Sequence, residues 1–475
     1  MEINKTIELK KALSKLNENK PNKLVNYDEL VSDRTGIIKK IIKLDIDPGL
    51  PKRAKAIGVN VSNANRLGQW PADQVAGGHT FDYESATHSA IGEAIERYCG
   101  NYISSPLYHG SYNELVSKGE KAINPDELIL YSKEQYDMPG FPFVPFTKDL
   151  PVKWVKGLSL ISGETIMVPA SLVYVNYIYG DRSSEPATNF HMFAGIACGN
   201  SIESAITSGL LEVIERDATM MWWLSDGEVE LIKQNDSQIE YVLEPTVKRN
   251  VEWYLVNIRS EFELPVIGAL LVDHDNQIAG MGFACRPKPI DALIKAVGEG
   301  IQLHNISNGI KFSDGEMWKS VQKGVLHDKA LKPYRDDLHY KDSFREDYLD
   351  IIDLAQHSQI YLDTRMWKEL ERITNCKNNI ALRDIKIPEA NKLEDYLKIV
   401  ADKGFDVICV DITTPDIIPT GLRVVRIIVP GLIPNGPGGF PFIDEERVLK
   451  TPYKLGLREK ILTFNELNFS PLPHS

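Results

Sequence analysis

Cysteine is scarce in this sequence, five residues in 475, and none stands in a CxxC pair. Such isolated thiols (Cys99, Cys198, Cys285, Cys376 and Cys409) argue against a disulfide framework and a structural zinc site. They fit free thiols in a reducing compartment. No run approaches the roughly 20 consecutive apolar residues that span a bilayer. The N-terminus, MEINKTIELKKALSKLNENK, carries charge throughout and has neither an apolar core nor a small-residue cleavage site. The expectation is a cytoplasmic protein with no membrane partner. Basic charge is also in short supply: 54 Lys and Arg stand against 66 Asp and Glu, a formal net charge of -12. A nucleic-acid binder needs a basic footprint to displace counterions, so no nucleic-acid partner is expected. The GxxxxGK[ST] phosphate loop and the protein-kinase signatures are missing as well.

What is present is ordinary for a globular chain. At 43% hydrophobic and 25% charged residues, disorder is excluded as a whole-chain description. The length allows about three domain-sized units or one composite fold. Residues 1–53 read as an N-terminal extension with a helical pattern around Ile7–Leu16. Residues 54–460 read as one catalytic domain, and residues 461–475 as a proline-containing tail. Trp154–Tyr174 predicts a hairpin turning at Ser162-Gly163. Val266–Val272, Asp406–Asp411 and Leu422–Val429 read as buried strands. Residues 305–350 predict loops and exposed helix.

The strongest signal is an internal repeat. ESATHSAIGEAIER (84–97) and ESAITSGLLEVIER (203–216) align without gaps, with eight of fourteen positions identical. DALIKAVGEGIQ (291–302) is a degenerate third copy, with Glu299 and Gln302 at the two carboxylate positions. On a helix, Ser89, Glu93, Glu96 and Arg97 fall within about a third of the circumference, opposite Ile91, Ala94, Ile95 and Tyr98. Ser208, Glu212, Glu215 and Arg216 repeat the stripe, opposite Leu210, Val213 and Ile214. A lone stripe of this kind is an exposed ion pair worth about 0.3–0.5 kcal/mol. Two stripes with the same serine and both carboxylates in phase point to a shared ligand. Clustered carboxylates repel unless an oxygen-loving divalent cation joins them, and Mg²⁺ typically combines few carboxylates with substrate phosphates. Arginine and serine suit those phosphates. The chemistry indicated is nucleotide-dependent phosphoryl transfer through a metal clamp.

With these elements the chain resembles the YcaO family, in particular the azoline-forming cyclodehydratase subunits of peptide-modifying clusters. The resemblance rests on GGHTFDYESATHSAIGEAIERYCG (77–100), WVKGLSLISGETIMVPASLVY (154–174), FAGIACGNSIESAITSGLLEVIERDA (193–218), AVGEGIQ (296–302) and DITTPDIIPTGLRVVRIIVPGL (411–432). It implies a mixed α/β fold (α+β) with pseudo-symmetric helix and strand units around an ATP and Mg²⁺ site. Ser89, Glu93, Glu96, Arg97, Ser208, Glu212, Glu215, Glu299 and Gln302 would bind the cofactor. Glu93, Glu96, Glu212, Glu215 and Glu299 would hold the metal. His79 stands where many relatives have a phosphate-binding lysine, and Arg426 lies in a strand pattern that would bring it to the same cofactor site. Pro471, Pro473 and His474 match in part a proline-rich tail that enters the catalytic site.

The activity implied is ATP-dependent phosphorylation of a peptide backbone amide, converting Cys, Ser or Thr of a ribosomal precursor into thiazoline or oxazoline. Partners would be the precursor peptide and a separate leader-binding subunit resembling ubiquitin-activating enzymes, with a homodimer inside a larger complex. Two other outcomes share the resemblance: thioamide or amidine formation with an external nucleophile, and a catalytically silent docking scaffold. The stretch GIACG (195–199) precedes the second helix, whose N-cap is Asn200 or Ser201. Its amides suit either a phosphate or a plain turn. Cys198 has no partnered base in the sequence, and Asp217 reads as structural.

Overall fold

The computed structural model describes residues 2–17, 25–62 and 75–474, so Ser475 of the expected tail lies outside it. Helix α1 (Glu2–Leu16) precedes β1 (Ile38–Leu44), β2 (Lys55–Val61) and β3 (Val75–Thr80), and β3 runs into α2 (Tyr83–Asn101). Next come β4 (Tyr108–Gly110), β5 (Val152–Ser159), β6 (Thr165–Pro169) and β7 (Ile196–Gly199), and β7 runs into α3 (Ile202–Leu224). Then β8 (Glu230–Ile232), β9 (Val251–Ile258), β10 (Val266–Asp273) and β11 (Ile278–Cys285) lead into α4 (Pro289–Lys311). The chain continues through β12 (Asn379–Ile380), α5 (Leu393–Asp402), β13 (Ile408–Asp411) and β14 (Arg423–Ile428).

Three sheets result, ordered β1-β2-β3, β4-β5-β13-β14-β7 with β6 also on β5, and β11-β10-β9-β8-β12. This is the mixed α/β architecture expected. In each sheet the strand at one edge feeds a long helix: β3 into α2, β7 into α3, β11 into α4. Each helix packs on its own strand and also touches the edge strand of another unit: α2 on β7, α3 on β11, α4 on β3. Three units thereby close into a ring, with the repeated helices facing its middle.

Local sequence explains these turns from strand to helix. Asp82 caps α2 by accepting from the Ser85 N–H, and Ser201 caps α3 by accepting from the Ser204 N–H. Pro289 opens α4 with the φ a first helical turn needs. The strands press hard on the helices. A Cβ on Gly78 would lie 2.0 Å from the Ala86 carbonyl oxygen, and one on Gly282 would lie 2.2 Å from that of Ala296. Gly78→Ala is therefore expected to force β3 off α2 and lower stability by about 1–3 kcal/mol. Denaturant unfolding measures this, and an unchanged midpoint would contradict the close packing.

The burial pattern follows from the layers. β10 and β11 are buried at every position, so they read as continuous runs without alternation. α3 is buried along most of its length, ending at Trp222 and Trp223. Arg372 lies over both indoles and donates to the Trp222 and Trp223 carbonyls, capping the helix.

The expected hairpin is β5–β6, with Gly163 at φ 72 in its turn. The three expected strands are β10, β13 and β14. β1 falls within the stretch expected to be an extension, yet it pairs along its length with β2.

Candidate functional site

The glutamates of the three helices are placed by strand backbones. Glu93 accepts from the Gly77 N–H at 3.0 Å, Glu212 from Gly195 at 3.0 Å and Glu299 from Phe283 at 3.2 Å. Each thus grips the strand that precedes its own helix. One turn on, the reach is to another unit: Glu96 accepts from the Cys198 N–H at 2.7 Å and Glu215 from the Cys285 N–H at 2.8 Å. Gln302 closes the ring, its Nε2 lying 3.8 Å from where a Cβ on Gly77 would sit. The repeated spacing of three residues therefore has a structural cause, one carboxylate for each of two strands. Two GIACG amides, those of Gly195 and Cys198, hold glutamates in this way.

The electrostatics reflect crowding. Burial first, then the neighbouring Glu212 charge, push the Glu96 carboxyl up from 4.5 to about 8, against the Cys198 N–H and Arg97. Burial likewise raises Glu215 although Arg216 opposes it. Glu299 moves the other way: burial would raise it, but Lys295 and Arg216 hold it ionised. Cations alternate with the carboxylates. Arg97 lies 3.6 Å from Glu93 and over the Phe193 ring. Arg216 lies 3.8 Å from Glu212 and 3.4 Å from Glu215. In the third unit the residue matching those arginines is Leu303, and Lys295, 2.5 Å from Glu299, supplies the charge from a turn earlier. Sequence reasoning missed Lys295, although its i,i+4 spacing to Glu299 was the available signal.

Other expected residues separate by environment. Ser89 and Ser208 are exposed on the carboxylate side of their helices. His79 accepts from the Asn305 amide at 3.3 Å, and its Nδ1 is buried with no hydrogen-bond partner among the described residues. Burial lowers it to about 4 against the pull of Glu299, so it is neutral at pH 7 and does not replace a lysine cation. The Cys198 thiol is pushed well up by burial and by Glu96, which leaves it a poor nucleophile. Asp217 is structural: it accepts from Nε and Nη2 of Arg447 and from the Ile433 N–H. Arg426 is 2% exposed and donates to the Met192 and Phe193 carbonyls.

The tail is threaded into the protein beside α3. Trp223 donates to the Ser470 carbonyl, Tyr361 to that of Pro471, and the Met281 N–H to that of Pro473. His357 donates through Nδ1 to Leu472 and accepts at Nε2 from the Gly438 N–H. His474, 6% exposed, donates through Nδ1 to the Met281 carbonyl and accepts at Nε2 from Arg216. Burial and the Arg216 charge lower it to about 3. A neutral His474 therefore fixes the Arg216 guanidinium. The two prolines, lacking N–H groups, leave only carbonyls to satisfy.

The donor set suits a hard cation. Among the described residues no three His, Cys, Asp or Glu side chains form a ready-made metal cage. Mg²⁺ held with a nucleotide asks only for one or two carboxylates beside phosphate oxygens, and the ring offers five. No described helix is long and apolar enough to cross a membrane.

Comparison with known proteins agrees with this arrangement. The YcaO family model, described as an ATP- and Mg²⁺-binding cyclodehydratase, matches residues 77–433. An uncharacterized protein in the tfuA 3′ region of Rhizobium leguminosarum bv. trifolii is 22% identical over 240 residues, covering 47% of this chain and 53% of the relative. A heterocyclase solved in complex with substrate and cofactor superposes with a TM-score of 0.65 at 19% identity, covering 97% of this chain and 57% of that one. YcaO from Methanopyrus kandleri, bound with AMPPCP and Mg²⁺, superposes with a TM-score of 0.53 at 16% identity, covering 83% and 86%. The chain thus spans little more than half the length of the first two. The matched family segment begins at Gly77 within β3 and runs through the rest of all three strand-to-helix units, and the chain belongs to the YcaO family.

Proposed function

We propose that the chain is the ATP- and Mg²⁺-dependent cyclodehydratase subunit of a peptide-modifying system, forming thiazoline or oxazoline from Cys, Ser or Thr of a precursor peptide. The observation that carries this reading is the ring of strand-anchored glutamates with cations interleaved. Mg-ATP supplies the phosphoryl group that makes the amide oxygen a leaving group. Glu93, Glu96, Glu212, Glu215 and Glu299 hold the metal, each kept in place by a backbone N–H. Arg97, Arg216 and Lys295 oppose phosphate charge, and Ser89, Ser208 and Gln302 complete the nucleotide contacts. Pro471 and Pro473 hold the tail extended so that His474 reaches and orients Arg216. A leader-binding partner supplies the peptide. Mass spectrometry of a Cys-containing precursor, incubated with chain, partner and Mg-ATP, tests this reading. Loss of one water per modified residue is expected. ATP hydrolysis with no change in peptide mass would contradict it.

A pH dependence follows from Glu96. Its pKa in the folded chain, about 8, lies above the ordinary 4.5, so protonated Glu96 stabilises the metal-free protein. That contribution is complete below 4.5 and lost as pH rises through about 8. Metal binding needs the carboxylate and releases the proton. Mg-ATP affinity is expected to rise by up to about tenfold per pH unit between roughly pH 6 and 8 for one displaced proton. Glu96→Gln removes the slope between about pH 7 and 8 in calorimetry, where Glu215, raised to about 7, is already ionised, and a flat wild-type profile there would contradict the assignment.

A further inference from the structure

Two guanidiniums beside the glutamate ring keep an unused donor. The Nε atoms of Arg216 and Arg426 are buried and have no hydrogen-bond partner among the described residues. The residues are 8% and 2% exposed. Both line one cavity of about 50 Å³, whose other walls include Leu128, Leu172, Val213 and Ile427. Among the described residues no carboxylate lines it. Arg426 is held from β14 by Nη1 donating to Met192 and Phe193, which leaves Nε over. Glu212 is the carboxylate whose charge reaches Arg426, and it is shared with Arg216.

Buried donors nearly always find acceptors. Two guanidiniums on the walls of one small slot, each with an unsatisfied donor, call for an acceptor that arrives with a ligand. The slot has room for one or two water-sized groups, at about 30 Å³ each. It is too small for a triphosphate and offers Mg²⁺ no carboxylate among the described residues. Its walls are apolar, so the fitting group is a single oxygen on an otherwise apolar carrier, such as an amide carbonyl.

We infer that the Arg216–Arg426 slot receives the carbonyl oxygen of the substrate amide. This rests on the cyclodehydratase reading above. When the substrate thiol or hydroxyl adds to the carbonyl carbon, a C–S or C–O bond forms and the nucleophile's proton passes to water. The C=O π pair then moves onto the oxygen. That developing alkoxide is what two buried guanidiniums stabilise more than the neutral carbonyl. The oxygen next bonds to the γ-phosphorus of ATP as ADP departs, and its charge passes to phosphate. Arg426 is on this account a substrate-binding residue and makes no nucleotide contact.

Formate, a small carboxylate that places negative oxygen in such a slot, is the probe. The test compares wild type with Arg426→Lys, which keeps a cation within reach of the Met192 carbonyl but deletes the Nε donor. Calorimetry with formate and separately with Mg-ATP is run on both, with thermal unfolding as the folding check. The expected result is formate binding weakened at least about tenfold in R426K, with Mg-ATP affinity kept within about threefold. With a Cys-containing precursor, partner and Mg-ATP, R426K turnover falls by about 10²–10³. Formate binding that persists in R426K, or Mg-ATP affinity lost with it, overturns the slot. Absence of peptide turnover in wild type overturns the cyclodehydratase reading instead, and the two peptide-free titrations keep these failures apart.

Discussion

Glu212→Gln is expected to lower Mg²⁺-dependent ATP turnover by about 10²–10³ while leaving the fold intact. The amide oxygen of Gln can still accept from the Gly195 N–H, so the strand-to-helix clamp of the second unit survives. What disappears is the negative charge proposed to hold Mg²⁺, which Arg216 and Arg426 both feel. The variant carries a second signature. Glu212 is the largest charge holding Glu96 up, after burial itself, so its removal lets Glu96 ionise at lower pH. The pH slope of any remaining Mg-ATP binding therefore shifts downward in Glu212→Gln. Full turnover in this variant would show that the second stripe is a structural ion pair only.

Asp217→Ala should cost roughly 3–5 kcal/mol of stability, a large effect for one side chain. Asp217 has no exposed surface and its carboxylate takes two guanidinium nitrogens of Arg447 and the Ile433 N–H. Truncation leaves a buried cation with Glu261 as its remaining ion-pair partner among the described residues. It also frees the segment that begins at Ile433, which borders the arginine slot. The double variant Asp217→Ala/Arg447→Met is expected to recover much of the loss, because an apolar replacement of both partners removes the stranded charge. Denaturant unfolding of the single and double variants reads this directly. A loss under about 1 kcal/mol for Asp217→Ala would contradict a buried structural pair.

The helical stripe was legible because it is local and repeated: a serine, two glutamates and an arginine keep their spacing in two places. The third copy was legible only at Glu299 and Gln302, since its cation had moved to Lys295 on the other side of the glutamate. β11 escaped notice because IAGMGFAC is built of small residues. Its glycine at 282 is there to let α4 approach, which no strand propensity records. The pairing of β7 with β14 and of β5 with β13 joins segments more than 200 residues apart, so the ring itself could not be read from periodicity. The roles of His79 and the tail depended equally on distant partners. Burial decides that His79, which accepts from Asn305, is neutral against the pull of Glu299, and Arg216 and Met281 decide that His474 is an anchor.

On the proposed function, three helices from three sheets share one Mg-nucleotide site. Calorimetric titration of Mg-ATP into wild type and into Glu93→Gln, Glu212→Gln and Glu299→Gln tests it most directly. The account predicts that each single variant weakens binding by at least about tenfold, with a normal unfolding transition. Unchanged affinity in Glu299→Gln, whose helix carries the divergent third copy, would contradict a site shared by all three units.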